Sequence, residues 1–175
     1  MQVLKCGLAA ASLAIGMSAA FTAIAVTQEK VYEFPAADAC QLSIPTTDTQ
    51  VRPRANGYRN EGATNQFVIC GMGGYEKATV MYMVLLYTSM DGAQHDMSCT
   101  GVTGLVGSGS GPVYSTKTVT VAASGYSFAT WGAEDFGGTE GGPIDPGMNL
   151  SVTCTLPPAV ALQGFESAQL IDVGN

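Results

Sequence analysis

Beyond residue 25 no stretch of this chain runs far without a helix breaker. Twenty of its 22 glycines lie there. From Cys40 the apolar runs are short and end at Gly, Pro, Asn or Asp, which leaves little room for long helices. Alternation and β-branched content mark candidate strands at 39–44, 49–52, 66–70, 79–88, 95–103, 114–123, 126–133, 149–156 and 166–173. Pro53 is expected to stop the second. The cleanest alternation is 149–156, with Leu150, Val152, Cys154 and Leu156 on one face and Asn149, Ser151, Thr153 and Thr155 on the other. The run at 79–88 is apolar on both faces, which suits a central strand covered on both sides or a buried helix. Its Val, Tyr and Thr content favours the strand, and Asp91-Gly92 supplies a turn after it.

The first 25 residues read as a secretion signal. Lys5 is the charged start, 8–21 is an uncharged apolar run, and Ala23-Ile24-Ala25 is a small-x-small cleavage pattern. Cleavage is expected after Ala25, with Ser18-Ala19-Ala20 as a second candidate. Cys6 leaves with this segment. Cys40, Cys70, Cys99 and Cys154 remain, an even number in an oxidising compartment, so two disulfides are expected. Three pairings are possible. The matching settings Ser98-Cys99-Thr100 and Thr153-Cys154-Thr155 favour Cys99–Cys154, and with it Cys40–Cys70. A zinc site would need closer cysteines or more than one histidine. The expectation is an all-β fold: a single β-sandwich of jelly-roll or Greek-key type with eight or nine short strands. It occupies 39–175, after an extended lead-in at 26–38.

Without Lys5, six basic residues face fourteen acidic ones, a net charge of −8. Nucleic acids and anionic membranes both require a basic surface, so neither is expected as a partner. The one basic cluster is Arg52, Arg54 and Arg59, suited to an acidic ligand or to internal pairing with Glu61 and Asp48. The acidic, glycine-rich loop at 134–147 brings Glu134, Asp135, Glu140 and Asp145 together in sequence. That oxygen-rich set would suit calcium, although its spacing is not that of an EF-hand. No other cofactor is expected. Tyr126 and Trp131 flank the same loop and are candidates for stacking on a ligand, with a core role as the rival reading for Trp131.

Catalysis has little support. His95 is the sole histidine, so a Ser-His-Asp device must use it. Gly107-Ser108-Gly109-Ser110-Gly111 centres on glycine rather than serine, unlike a nucleophile elbow. Three segments, Ala39-Cys40-Gln41-Leu42-Ser43-Ile44-Pro45, Phe67-Val68-Ile69-Cys70 and Ser151-Val152-Thr153-Cys154-Thr155-Leu156-Pro157, resemble small secreted β-rich, disulfide-bonded proteins of Gram-negative bacteria. The resemblance implies an exported bacterial protein and carries over no catalytic residue. The expected function is binding or extracellular assembly without catalysis, with a glycan, a cell-envelope component or further copies of the chain as partner. The alternative is a small extracellular hydrolase using the carboxylates of the 134–145 loop.

Overall fold

The computed structural model describes residues 26–43, 50–72, 79–107, 109, 111–144 and 150–174. The segment read as a secretion signal, Asp48 and Asp145 lie outside them. Eleven strands are present among the described residues: β1 (Thr27–Pro35), β2 (Cys40–Leu42), β3 (Val51–Arg54), β4 (Gly57–Asn60), β5 (Gln66–Gly71), β6 (Thr79–Ser89), β7 (His95–Thr103), β8 (Val113–Val121), β9 (Ser127–Gly132), β10 (Leu150–Leu156) and β11 (Val160–Asp172). One helical turn, α1 (Ala36–Ala39), and one 3₁₀ turn, Ala133–Phe136, complete the set.

The strands form two antiparallel sheets packed as a sandwich. The five-stranded sheet runs β2-β5-β10-β7-β8. The six-stranded sheet runs β3-β4-β11-β6-β9, and β1 also pairs with β11. β11 is long enough to hold two partners end to end on one side: Ala161 and Leu162 face β4, and 164–172 face β1. β6 lines its other side.

Side-chain period decides what is buried. On β10 the residues Leu150, Val152, Cys154 and Leu156 are buried and those between them are half-buried, as the sequence pattern requires. Val80, Met83, Leu85, Tyr87, Trp131 and Phe165 from the larger sheet meet Val68, Met97, Val121, Val152 and Leu156 from the smaller one in a single core. Both disulfides lie on the core face of the five-stranded sheet. Cys40 pairs with Cys70 and Cys99 with Cys154, each directly across a strand pair, with Cα atoms 4.0 and 4.1 Å apart.

Several expectations need correction. There are more strands than the eight or nine expected. The extended segment before Cys40 is a full strand, paired with β11 from Thr27 to Pro35. Pro53 does not stop a strand: β3 continues through it to Arg54. β3 is an edge strand, so a missing backbone N–H costs no ladder bond on its open side. β4 follows a tight turn in which Gly57 has φ +123°. A Cβ there would lie 2.4 Å from the Leu162 carbonyl oxygen, so the strand needs glycine at this point. β6 is central as expected, but the described residues cover only one of its faces. The other carries half-buried Tyr82, Val84 and Leu86.

Candidate functional site

That open face of the six-stranded sheet is the candidate site. Register aligns it in rows across β9, β6, β11 and β1. One row is Phe128, Leu86, Gly164 and Pro35, and the next is Thr130, Val84, Glu166 and Glu33. Gly164 leaves a gap in the first row. A Cβ added there would make only an ordinary 3.5 Å contact with the Phe34 carbonyl oxygen, so the gap is open space rather than a packing necessity. Gln163 is the extra residue at a register shift between Leu162 and Gly164, the kind of bulge that turns a side chain out of the regular pleat.

The result is a cleft of about 420 Å³ lined by Glu33, Pro35, Leu86, Tyr126, Gln163, Gly164 and Glu166, with backbone neighbours Phe34 and Phe165. Tyr126 is 74% exposed and Phe128, beside it, 70% exposed. Aromatic rings that stand this far out of a sheet forgo burial they would find in the core. Thr88 fixes the turn that carries Tyr126 by donating its hydroxyl to the Gly125 carbonyl at 2.9 Å.

The two glutamates are directly opposite each other on β1 and β11. Partial burial, reinforced by the Glu33 charge, pushes the Glu166 carboxyl above its ordinary value. The folded chain therefore holds this proton to higher pH than the unfolded chain. The contribution to stability is complete below the ordinary carboxylate range and is lost as pH rises through the raised value. Glu166→Gln is accordingly expected to stabilise the fold at neutral pH by ~0.2–1 kcal/mol, the usual scale for a cross-strand charge pair. The gain should vanish below about pH 4. Urea unfolding at the two pH values checks this, and a variant less stable than wild type at neutral pH would contradict it.

The residues singled out in the sequence fall in four places. Tyr126 lies in the cleft. Trp131 does not: it is fully buried, and period 2 puts it on the face opposite Phe128. Its Nε1 donates to the Ser115 carbonyl at 3.1 Å, so it is a core residue and not a stacking platform. Arg52, Arg54 and Arg59 all turn to Glu61. Arg54 makes a two-pronged contact, Arg52 approaches at 3.5 Å and Arg59 at 3.9 Å. Hydrogen bonding from Arg54 holds the Glu61 carboxyl below its usual range. The cluster thus pairs internally, away from the cleft.

The described acidic residues of the 134–147 loop do not converge. Asp135 turns back, accepting from Lys117 Nζ at 2.8 Å, Gly132 N at 2.9 Å and Ser115 Oγ at 3.3 Å. Glu134 and Glu140 are exposed, and Asp145 lies outside the described residues. Among the described residues no three of His, Cys, Asp and Glu are grouped to hold a metal ion.

His95 bonds the Asp91 carboxylate at 2.9 Å, and Ser89 Oγ and Ala93 N donate to the same oxygen. Serine and imidazole each bond the carboxylate rather than each other. That wiring holds the turn between β6 and β7 and activates no nucleophile.

Sequence reasoning missed Glu33, Leu86, Gln163, Gly164 and Glu166. No motif joins them, because three strands far apart in sequence, β1, β6 and β11, supply them. The available signal was the apolar second face of 79–88, which here is open rather than covered.

No protein-family model matches the chain, and no curated protein matches it. Among solved structures, a xylan-binding module CBM15 matches with a TM-score of 0.47 and 9% identity over 81% of this chain and 97% of that one. A likeness this loose carries no function to the chain.

Proposed function

We propose that this protein is an exported, non-catalytic β-sandwich that binds a glycan on the open face of its six-stranded sheet. The observation that carries this reading is the cleft floored by Gly164 and lined by the exposed Tyr126 and the carboxylates of Glu33 and Glu166, with the exposed Phe128 on the same face in the Gly164 row. Sugar rings offer apolar C–H faces and a rim of hydroxyls. Aromatic faces suit the first, and carboxylate and amide oxygens suit the second. The site is built on strands, so its geometry is preformed and little ordering entropy is lost on binding. Two buried disulfides fit a protein that works in an oxidising compartment.

Binding to immobilised polysaccharides and to an array of oligosaccharides tests the reading. Tyr126→Ala and Phe128→Ala are each expected to weaken binding about three- to tenfold, the scale of one ring contact. Neither should shift stability by more than about 0.5 kcal/mol, because both rings are exposed. Gly164→Leu fills the floor of the cleft and should abolish binding while the fold persists. If all three variants bind as wild type does, the cleft is not the site.

A further inference from the structure

The charge of the cleft narrows the ligand class, a step that rests on the glycan reading above. Glu33 and Glu166 share the open face and stand directly opposite. Like charges so placed destabilise a sheet. Among the described residues the cleft lining contains no Lys, Arg or His to compensate them. Their neighbours on the face, Val31, Pro35, Val84, Leu86 and Thr130, carry no charge.

The basic side chains placed among the described residues are engaged elsewhere. Arg52, Arg54 and Arg59 meet Glu61. Lys117 donates to Asp135 and to the Thr130 carbonyl. Lys30 alternates onto the other face of β1 from Glu33 and lies over the Tyr32 ring at 5.0 Å. A facing carboxylate pair with no cation among the described residues of its cleft, and with the exposed Tyr126 ring in the same lining, has the complement of a cation. An ammonium group is attracted both by carboxylates and by the faces of aromatic rings.

We infer that the cleft takes a glycan bearing free primary amines, a chain of amino sugars. Its ammonium group meets the Glu33–Glu166 pair, and its sugar rings lie against Tyr126 and Phe128. Glycans carrying carboxylates are repelled by the same pair, and N-acetylated amino sugars lack the charge it is placed to receive.

Titration calorimetry with the exported chain tests this. The probes are glucosamine oligomers, their N-acetylated counterparts of equal length, xylose oligomers, galacturonic acid oligomers and oligolysine. The expected result is binding of the amine form about tenfold or more above the acetylated form, falling as salt is added. In the folded Glu33→Gln/Glu166→Gln double variant the ratio between these two forms should collapse to about one. That ratio is the readout, so a general loss of affinity does not imitate the result. Equal binding of amine, acetylated and xylose oligomers would overturn the amine preference and leave the glycan reading standing, as would a preference for galacturonic acid. Oligolysine binding as tightly as the amino-sugar oligomer would overturn the glycan assignment in favour of a basic peptide. Binding of none of the probes or of any array glycan would overturn both.

Discussion

Trp131→Ala is expected to destabilise the sandwich by about 3–5 kcal/mol, the range for removing a large buried aromatic side chain. The ring fills the space between one edge of the six-stranded sheet and the β7–β8 side of the other. It lies so close to β7 that a Cβ on Gly101 would fall 2.8 Å from its Cδ1 and 3.1 Å from Phe136 Cζ. Its Nε1 hydrogen bond reaches β8, and Lys117 Nζ sits 5.6 Å from the ring centroid. Alanine would therefore leave a cavity, take this donor from the Ser115 carbonyl and remove the ring beside Lys117. Trp131→Phe should cost less, because it keeps most of the packing and loses mainly the hydrogen bond. Equilibrium urea unfolding measures both. A loss below about 1 kcal/mol for the alanine variant would mean that the ring does not tie the two sheets.

Loss of the Cys99–Cys154 bridge ranks second. Replacing both cysteines with alanine is expected to cost about 2–5 kcal/mol, and more than the same change at Cys40 and Cys70. Two features set this order. The Cys99–Cys154 bridge closes the longer loop, with a sequence separation of 55 against 30. It also joins β7 to β10 in the interior of the five-stranded sheet, whereas Cys40 anchors the short edge strand β2. Thermal and urea unfolding of the two double variants compare them directly. An equal or reversed order would show that edge attachment, not sheet interior, limits stability.

Much of the fold was legible because it follows from period and covalent chemistry. The alternation at 149–156 fixed the faces of β10, and the matched settings of Cys99 and Cys154 anticipated their pairing. β1 was obscure because backbone ladder bonds hold it to β11 while most of its side chains are exposed; only Tyr32 and Phe34 are half-buried. β4 was obscure because it is four residues long and opens on Gly57, with no apolar repeat. Tyr126 stands on the open face, whereas Trp131, for which a core role was the rival reading, fills the core. Both are aromatic and near one loop, and only the register of β9 sends Phe128 outward and Trp131 inward. The glutamate pair could not be read at all, since Glu33 and Glu166 meet only when the N-terminal strand lies along the C-terminal one.

This topology gives the cleft its character. β6 and β11 lie inside the sheet and β1 and β9 flank them, so the carboxylates and Phe128 are held on strands, and Tyr126 on the turn that leads into β9. Stability and binding should separate cleanly in mutants. Changes at Trp131 or the disulfides act on folding, while changes at Tyr126, Phe128 or Gly164 act on the open face.

The most direct test of the central claim is amide chemical-shift mapping during titration with whichever glycan binds on the array. The prediction is that perturbations gather on the backbone around Glu33, Leu86, Tyr126, Phe128, Gly164 and Glu166, across β1, β6, β9 and β11. Perturbations confined to the five-stranded sheet, to the arginine hairpin of β3 and β4, or to the acidic loop would contradict it.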